Sequence, residues 1–75
     1  MAHKRQLTAI IEGDGDGYTS LCPELDIASQ GRTIEEARSN LREAVELFFE
    51  TADASEIQSR LHSNVFISQF EVAVG

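Results

Sequence analysis

The sequence has few of the residues that usually reinforce a small domain. It contains one cysteine, Cys22, which excludes both an internal disulfide and a cysteine-based metal site. A chain of 75 residues buries only about 60% of the surface that it exposes when unfolded. Small domains without disulfides or metals commonly gain stability from a partner subunit. We therefore predict that the protein forms a homodimer or homotetramer.

Positively charged residues and long apolar runs are scarce as well. Six Lys and Arg residues stand against 13 Asp and Glu residues, which gives a net charge of −7. Because phosphate groups repel such a chain, we expect no direct binding to nucleic acid and favour a basic protein as partner. No stretch approaches the roughly 20 apolar residues of a membrane span, and the first residues lack the apolar part of a signal peptide. We expect a cytoplasmic protein without membrane contacts.

A run of alternating glycine and aspartate at 13–17 is the strongest turn signal in the chain. It separates two strand-like segments, 6–12 and 18–22, and so predicts an antiparallel hairpin. Pro23 ends the second segment because it has no N–H for a sheet ladder. After a further turn, 27–30 reads as a third strand. These segments predict a three-stranded antiparallel meander.

The segment from Ile34 to about Glu50 predicts an amphipathic helix. Its apolar side chains recur at helical spacing and share one face, which would cover one face of the sheet. Thr33 followed by Glu36 has the pattern of a capping box at the start of this helix. Leu47 projects to the polar side, and we interpret it as a self-association contact.

The C-terminal part of the chain predicts a short helix and a last strand. Ser55 is a candidate N-cap for a helix that runs to about His62, and Asn64 is the residue that stops it. From Val65 to Val74 side chains alternate between two faces, as in a strand. Three of them, with Leu47, are our predicted self-association contacts: Phe66, Phe70 and Val72.

These elements define one α+β domain over 1–75 in the order β-β-β-α-α-β. Its parts are a flexible leader (1–5), a β-β-β-α core (6–50), a short helix (55–62) and a terminal strand (64–74). A single long helix covers only one face of the sheet. The other face and the terminal strand therefore remain partly bare, and large exposed apolar patches mark interaction surfaces.

Two tempting sites fail on their chemistry. Asp14 and Asp16 resemble the start of a calcium loop, but Tyr18 stands where a third oxygen ligand is needed, and strands rather than helices flank the loop. The glycines do not have the spacing of a phosphate-binding loop. We interpret this stretch as a turn and expect neither a metal nor a cofactor.

The sequence also offers little for catalysis. His3 and His62 are far apart, and Cys22 has no evident base to activate it, so we interpret Cys22 as a buried strand thiol. The first strand is Leu-Thr-Ala-Ile-Ile where a two-metal nuclease would carry acidic side chains. We predict that the protein is not an enzyme.

Ordered sequence blocks resemble the HicB family, the antitoxins of HicA–HicB toxin–antitoxin pairs. The blocks are 12–18 (EGDGDGY), 22–25 (CPEL), 29–31 (SQG), 33–37 (TIEEA), 40–41 (NL) and 43–44 (EA), and 61–74 also resembles the end of short family members. Asp26-Ile27 departs from the Pro-Gly of many relatives, so we expect a different turn there.

The resemblance implies a degraded ribonuclease H-like fold, with a last strand beside the first. It also implies a partner: HicA, a small basic toxin that cleaves mRNA using a histidine. Longer relatives add a helix-turn-helix or ribbon-helix-helix domain that binds the operator. The sequence ends at Gly75 without one, so we expect no direct operator binding.

We predict that acidic side chains bind the toxin and cover its RNA-binding surface. The predicted toxin-binding residues lie in loops and at the start of the long helix: Asp14, Asp16, Glu24, Asp26, Glu35 and Glu36. The alternative is a stand-alone homo-oligomeric structural or regulatory module that has no toxin partner. The glycines and aspartates are also explained as turn residues, and Glu36 as a helix cap.

Overall fold

The computed structural model describes residues 5–61 and 65–75 and has an α+β architecture. Its elements are β1 (Ile10–Asp14), β2 (Gly17–Cys22), β3 (Ile27–Gly31), α1 (Ile34–Thr51) and α2 (Ala54–Arg60). The strands form an antiparallel sheet in the order β1-β2-β3. The predicted meander followed by helices is confirmed.

The β1–β2 hairpin closes with a two-residue turn. Asp14 pairs with Gly17, which leaves Gly15 and Asp16 as the turn residues. Gly15 has φ of +63°, and Asp16 does not share this positive φ. A positive φ at the first turn position alone is the type II′ pattern, which favours glycine there. This explains why the run of glycine and aspartate forms a tight hairpin.

Helix α1 packs on the face of the sheet that carries Ser20 and Cys22, both of which are buried. The Ser20 hydroxyl donates a 2.8 Å hydrogen bond to the Ala37 carbonyl, which joins the central strand to the first turns of α1. The hydroxyl is thereby satisfied inside the core, where an unpaired polar group would be costly.

The core lies between the sheet, α1 and the β2–β3 turn. Cys22, Leu25 and Leu41 form its buried centre. Half-buried apolar side chains pack around this centre: Leu7, Ile27, Val45, Phe48, Phe49 and Leu61. Leu25 comes from the turn, where the amides of Leu25 and Asp26 donate to the Cys22 carbonyl. The turn is therefore part of the core and not a surface loop.

The predicted cap of α1 is confirmed. The Thr33 hydroxyl accepts a 3.0 Å hydrogen bond from the Glu36 amide. The Glu36 carboxylate reaches back one residue further than a standard capping box, and accepts from the Arg32 amide at 2.9 Å. Two N–H groups at the start of α1 are satisfied in this way.

The predicted start of the second helix was wrong by two residues. Asp53, and not Ser55, is the N-cap of α2, because its carboxylate accepts from the Glu56 amide at 2.8 Å and from the Ser55 hydroxyl at 3.0 Å. Carboxylates are also favoured at helix N-termini by the helix dipole. The predicted end of the helix at His62 lies outside the described residues, as do Asn64 and residues 1–4 of the predicted leader.

The first and last strands differ from the predicted ones. β1 begins at Ile10 and not at residue 6, because the Thr8 amide donates to the Glu24 carboxylate and so cannot join the ladder with β2. Within the described residues, 65–75 form no strand, so the predicted strand beside the first is wrong for the single chain. A strand needs a hydrogen-bonded neighbour, and the sheet of this chain supplies none to that segment.

Candidate functional site

The six predicted toxin-binding residues lie at opposite ends of the sheet. Asp14 and Asp16 lie at the β1–β2 hairpin. Gly31 pairs with Tyr18 near the same end, so α1 also starts there and brings Glu35 and Glu36. Glu24 and Asp26 occupy the β2–β3 turn at the other end. We call Asp14, Asp16, Glu35 and Glu36 the hairpin-end surface.

A shallow groove crosses the hairpin-end surface. Its lining includes Asp14, Asp16, Gly17, Tyr18, Thr19, Gln30, Gly31, Arg32, Glu36 and Asn40. Asn40 is fixed by a 2.8 Å hydrogen bond from its Nδ2 to the Gln30 carbonyl. The carboxylates of Asp14, Asp16 and Glu36 outnumber the Arg32 guanidinium, so the groove carries a net negative charge. Such a surface complements a cationic partner.

All four residues of the hairpin-end surface are exposed. Glu35 and Glu36 also stabilise the start of α1, because acidic side chains in the first turn interact favourably with the helix dipole. Asp16 serves as a turn residue. Three of the four residues therefore have a local structural reason to be acidic, and the shared negative surface is an additional property of the set.

Glu24 differs from the other predicted contacts because it is half-buried and both oxygens of its carboxylate are engaged inside the chain. Both oxygens accept from the Thr8 amide at 3.1 Å, and Oε2 accepts from the Thr8 hydroxyl at 2.6 Å. Burial disfavours the charged form, but the hydrogen bonds from Thr8, from the Glu24 amide and from Cys22 together outweigh it and lower the pKa of Glu24. The residue fastens the segment before β1 to the β2–β3 turn.

Replacing Glu24 with glutamine should reduce stability at neutral pH by about 1 to 2 kcal/mol, because hydrogen bonds to a charged acceptor are lost. The folded-state pKa lies below the ordinary 4.5, so this contribution is present above the unfolded-state pKa and is lost as pH falls through the folded-state pKa. Urea unfolding of both proteins between pH 7 and pH 3 should show the two free energies converging at low pH. Glu43→Gln, on the exposed face of α1, is the control. A constant difference at every pH would contradict the proposed role.

Asp26 lies in a turn that α2 holds in place. It has φ of +58°, and its side chain is exposed. Arg60 donates from Nε to the Leu25 carbonyl at 3.2 Å and from a terminal nitrogen to the Asp26 carbonyl at 3.4 Å. The Arg60 guanidinium also lies 5.3 Å from the centre of the Phe48 ring. These contacts of Arg60 join α2 to the β2–β3 turn, so this end of the molecule has a structural role.

Cys22 is the buried strand thiol that the sequence predicts. It is enclosed in the core, and burial raises its pKa. A thiol held in its neutral form is a poor nucleophile and a poor metal ligand. Within the part of the chain that the structure describes, no group of three or more His, Cys, Asp or Glu side chains could hold a metal ion. The described helices also include none that is long and apolar enough to cross a membrane.

The predicted self-association residues are exposed in the single chain. Leu47 is 58% exposed, Phe66 89% and Phe70 84%, and Val72 is exposed as well. Ile67 and Val74, which the sequence analysis did not single out, are exposed beside them. The alternation from 65 to 74 could have identified both. Arg32 and Asn40 of the groove were not among the predicted contacts, because their place there follows from the packing of α1 on the sheet.

The fold and its exposed carboxylates define a small acidic α+β protein, and sequence comparisons place it in a family. A UPF0150 protein of Helicobacter pylori is 37% identical over 68 residues, which span 89% of this chain and 94% of the relative. A UPF0150 protein of Synechocystis is 49% identical over 49 residues, 63% of this chain and 68% of the relative. No family model matches the sequence, and no solved structure matches it significantly. The chain belongs to the UPF0150 family.

Proposed function

We propose that this protein is a cytoplasmic antitoxin of the HicB kind, which binds a small basic HicA-like toxin and covers its RNA-binding surface. The observation that carries the proposal is the hairpin-end surface, where the exposed carboxylates of Asp14, Asp16 and Glu36 line one groove of an acidic chain. The ordered sequence blocks that resemble HicB support it independently. The family name UPF0150 itself states no activity.

Electrostatics gives the proposal a mechanism. A chain with a net charge of −7 attracts a basic protein and accelerates its encounter. The carboxylates of Asp14, Asp16 and Glu36 would form ion pairs with basic side chains of the toxin that otherwise bind the phosphates of mRNA. Inhibition would then be steric and electrostatic, and it would require no catalytic group on the antitoxin.

The hairpin end is the better of the two candidate contact regions. All four of its acidic side chains are exposed, and those of Asp14, Asp16 and Glu36 line an open groove. At the other end, the Glu24 carboxylate is committed to Thr8. We therefore narrow the proposed toxin contact to Asp14, Asp16, Glu35 and Glu36, and assign Glu24 to stability.

A charge-reversal pair tests this assignment. The double variant Asp14→Lys/Asp16→Lys should weaken binding to the toxin about thirtyfold at physiological salt, since like charges then face the basic partner. The control, Glu43→Lys/Glu50→Lys, changes the net charge equally on the exposed face of α1 and should change affinity only a few-fold. The probe is the small basic protein of the adjacent reading frame with its histidine substituted, and calorimetry measures the affinity.

The outcomes separate the possibilities. A stable complex of the unaltered proteins, with rescue of toxin-induced growth arrest, supports the antitoxin proposal. Equal loss of binding in both double variants would mean that net charge acts and that the hairpin end is not the contact. A self-associated protein that forms no complex beside a freely toxic neighbour would favour the alternative, a stand-alone homo-oligomeric module, for which the exposed apolar residues after α2 also argue.

A further inference from the structure

The single chain exposes far more surface than a compact protein of its mass. A folded monomer of 8.3 kDa exposes about 4600 Å², whereas this chain exposes 6504 Å². Its radius of gyration is 14.6 Å, against about 11 Å for a compact chain of this length. The excess of about 1900 Å² means that part of the chain is not packed against the rest, and it exceeds the roughly 800 Å² that each partner buries in a standard interface.

Most of the large apolar side chains that are exposed in the described residues lie on the C-terminal segment, which we define as residues 65–75. Every residue from 66 to 75 is exposed, including the two most exposed phenylalanines, Phe66 and Phe70. Glu71 is the one charged side chain in the segment. An alternating, nearly uncharged segment of this kind has the composition of a buried strand.

The outer edge of β1 is able to receive such a strand. Asp14 and Gly17 flank a two-residue turn, so they form a hydrogen-bonded pair, and alternate residues of β1 also face β2. The backbone groups of Ile11 and Gly13 therefore point away from β2, at the edge of the sheet. By the same alternation the Thr8 amide points to the side of β2, where it donates to Glu24 in the turn after β2. Among residues 5–61 and 65–75 no strand pairs with this edge, and an unpaired edge is a template for another strand.

The opposite edge of the sheet is less suitable. Helix α1 packs mainly against β3 and β2 and least against β1. A strand added beside β1 would extend the sheet where the helix leaves it least covered, and would bring apolar side chains next to Ile11 on the helix face.

We propose that the C-terminal segment of one copy pairs with the outer edge of β1 in a second copy, and that the exchange is reciprocal. Two such pairings form a closed, two-fold symmetric dimer. Each copy then gains a fourth strand and removes the exposed phenylalanines from water. The proposal concerns self-assembly and does not depend on a toxin partner.

A proline at the edge tests the pairing without disturbing the core. Gly13→Pro removes an N–H that points away from β2, and proline is tolerated on edge strands. It should weaken dimerisation at least about tenfold, since a hydrogen bond is lost and the ring blocks the edge. Gly13→Ala is the matched control, because a Cβ there would lie 3.8 Å from the Tyr18 ring, an ordinary contact.

A second variant tests the C-terminal segment. Phe66→Glu/Phe70→Glu should weaken dimerisation about a hundredfold, because each copy would bury two charges.

Light scattering and sedimentation across a concentration series measure the dissociation constants, with circular dichroism to verify folding. The exchange itself is tested by mixing ¹⁵N-labelled protein with unlabelled Ser68→Cys protein that carries a spin label. Selective relaxation of the amides of Ile10–Asp14 in the labelled copy supports the proposal. A monomer with a radius of gyration near 11 Å would overturn it. So would a dimer whose Ile10–Asp14 amides are unaffected by the spin label.

Discussion

Replacing Gly31 with alanine is expected to destabilise the fold by about 3 kcal/mol, a large effect for one methyl group. A Cβ at this position would overlap the Ala37 amide nitrogen and would lie 2.8 Å from the Glu36 carbonyl carbon and 2.9 Å from the Ala37 Cα. All three are backbone atoms of α1, which cannot turn aside as a side chain can. The helix would have to move away from the sheet.

That movement would also break a buried contact. The hydrogen bond from Ser20 to the Ala37 carbonyl is 2.8 Å long, and it links the same turn of α1 to the central strand. Its loss would leave a buried hydroxyl without a partner, which adds to the cost of the overlap. Gly31→Val should prevent folding of the isolated chain, because two further methyl groups enter the same space.

Gly13→Ala is the matched control for Gly31→Ala, since both glycines lie in strands and a Cβ at Gly13 makes an ordinary contact. Urea denaturation at one fixed protein concentration measures both. A Gly31→Ala protein with the stability of the Gly13→Ala protein would show that α1 can shift without loss. The close approach of the helix would then be unimportant to the fold.

Local signals in the sequence predicted the elements that local chemistry determines. The glycine and aspartate run predicted the hairpin because the positive φ of Gly15 is a property of the residue itself. Thr33 and Glu36 predicted the start of α1 because a cap depends on residues three positions apart. The spacing of apolar residues predicted the extent of α1 to within one residue.

Features that depend on distant residues could not be predicted in this way. The early part of the predicted first strand is lost because Thr8 meets Glu24, 16 positions later. Gly31 reads as an end-of-strand glycine, and its close contact with α1 is visible only once the helix is docked. The alternation of the C-terminal segment indicates a strand, but it does not indicate which strand would pair with it.

For the candidate site as well, some features can be predicted from the sequence and others require the fold. The acidic residues of both loops can be identified from the sequence, because negative charge is a property of the residue type. It could not separate the hairpin end from the β2–β3 turn, which are distinguished by the internal bonds of Glu24 and by the contacts of Arg60 with the turn. A basic partner therefore stays a prediction from charge and sequence resemblance, and the fold was needed to propose one surface for it.

The second large effect is expected from Leu25, which lies in the turn between β2 and β3. It is fully buried, with 0% exposure, and packs with Cys22 and Leu41 at the centre of the core. Leu25→Ala should reduce the free energy of unfolding by about 3 kcal/mol, because the removed methyl groups leave a cavity among neighbours that can relax only in part. In a chain of this size, that loss is a large share of the total stability.

Leu47→Ala makes the same chemical change on the exposed face of α1 and is the control for Leu25→Ala. Since Leu47 is 58% exposed, its truncation should alter the unfolding free energy by less than about 0.5 kcal/mol. Both variants are measured by urea denaturation at equal protein concentration. Equal, small effects would mean that the β2–β3 turn is not part of the cooperative core. A large effect of Leu47→Ala that grows with protein concentration would instead place Leu47 in a subunit interface, because stability linked to association depends on concentration.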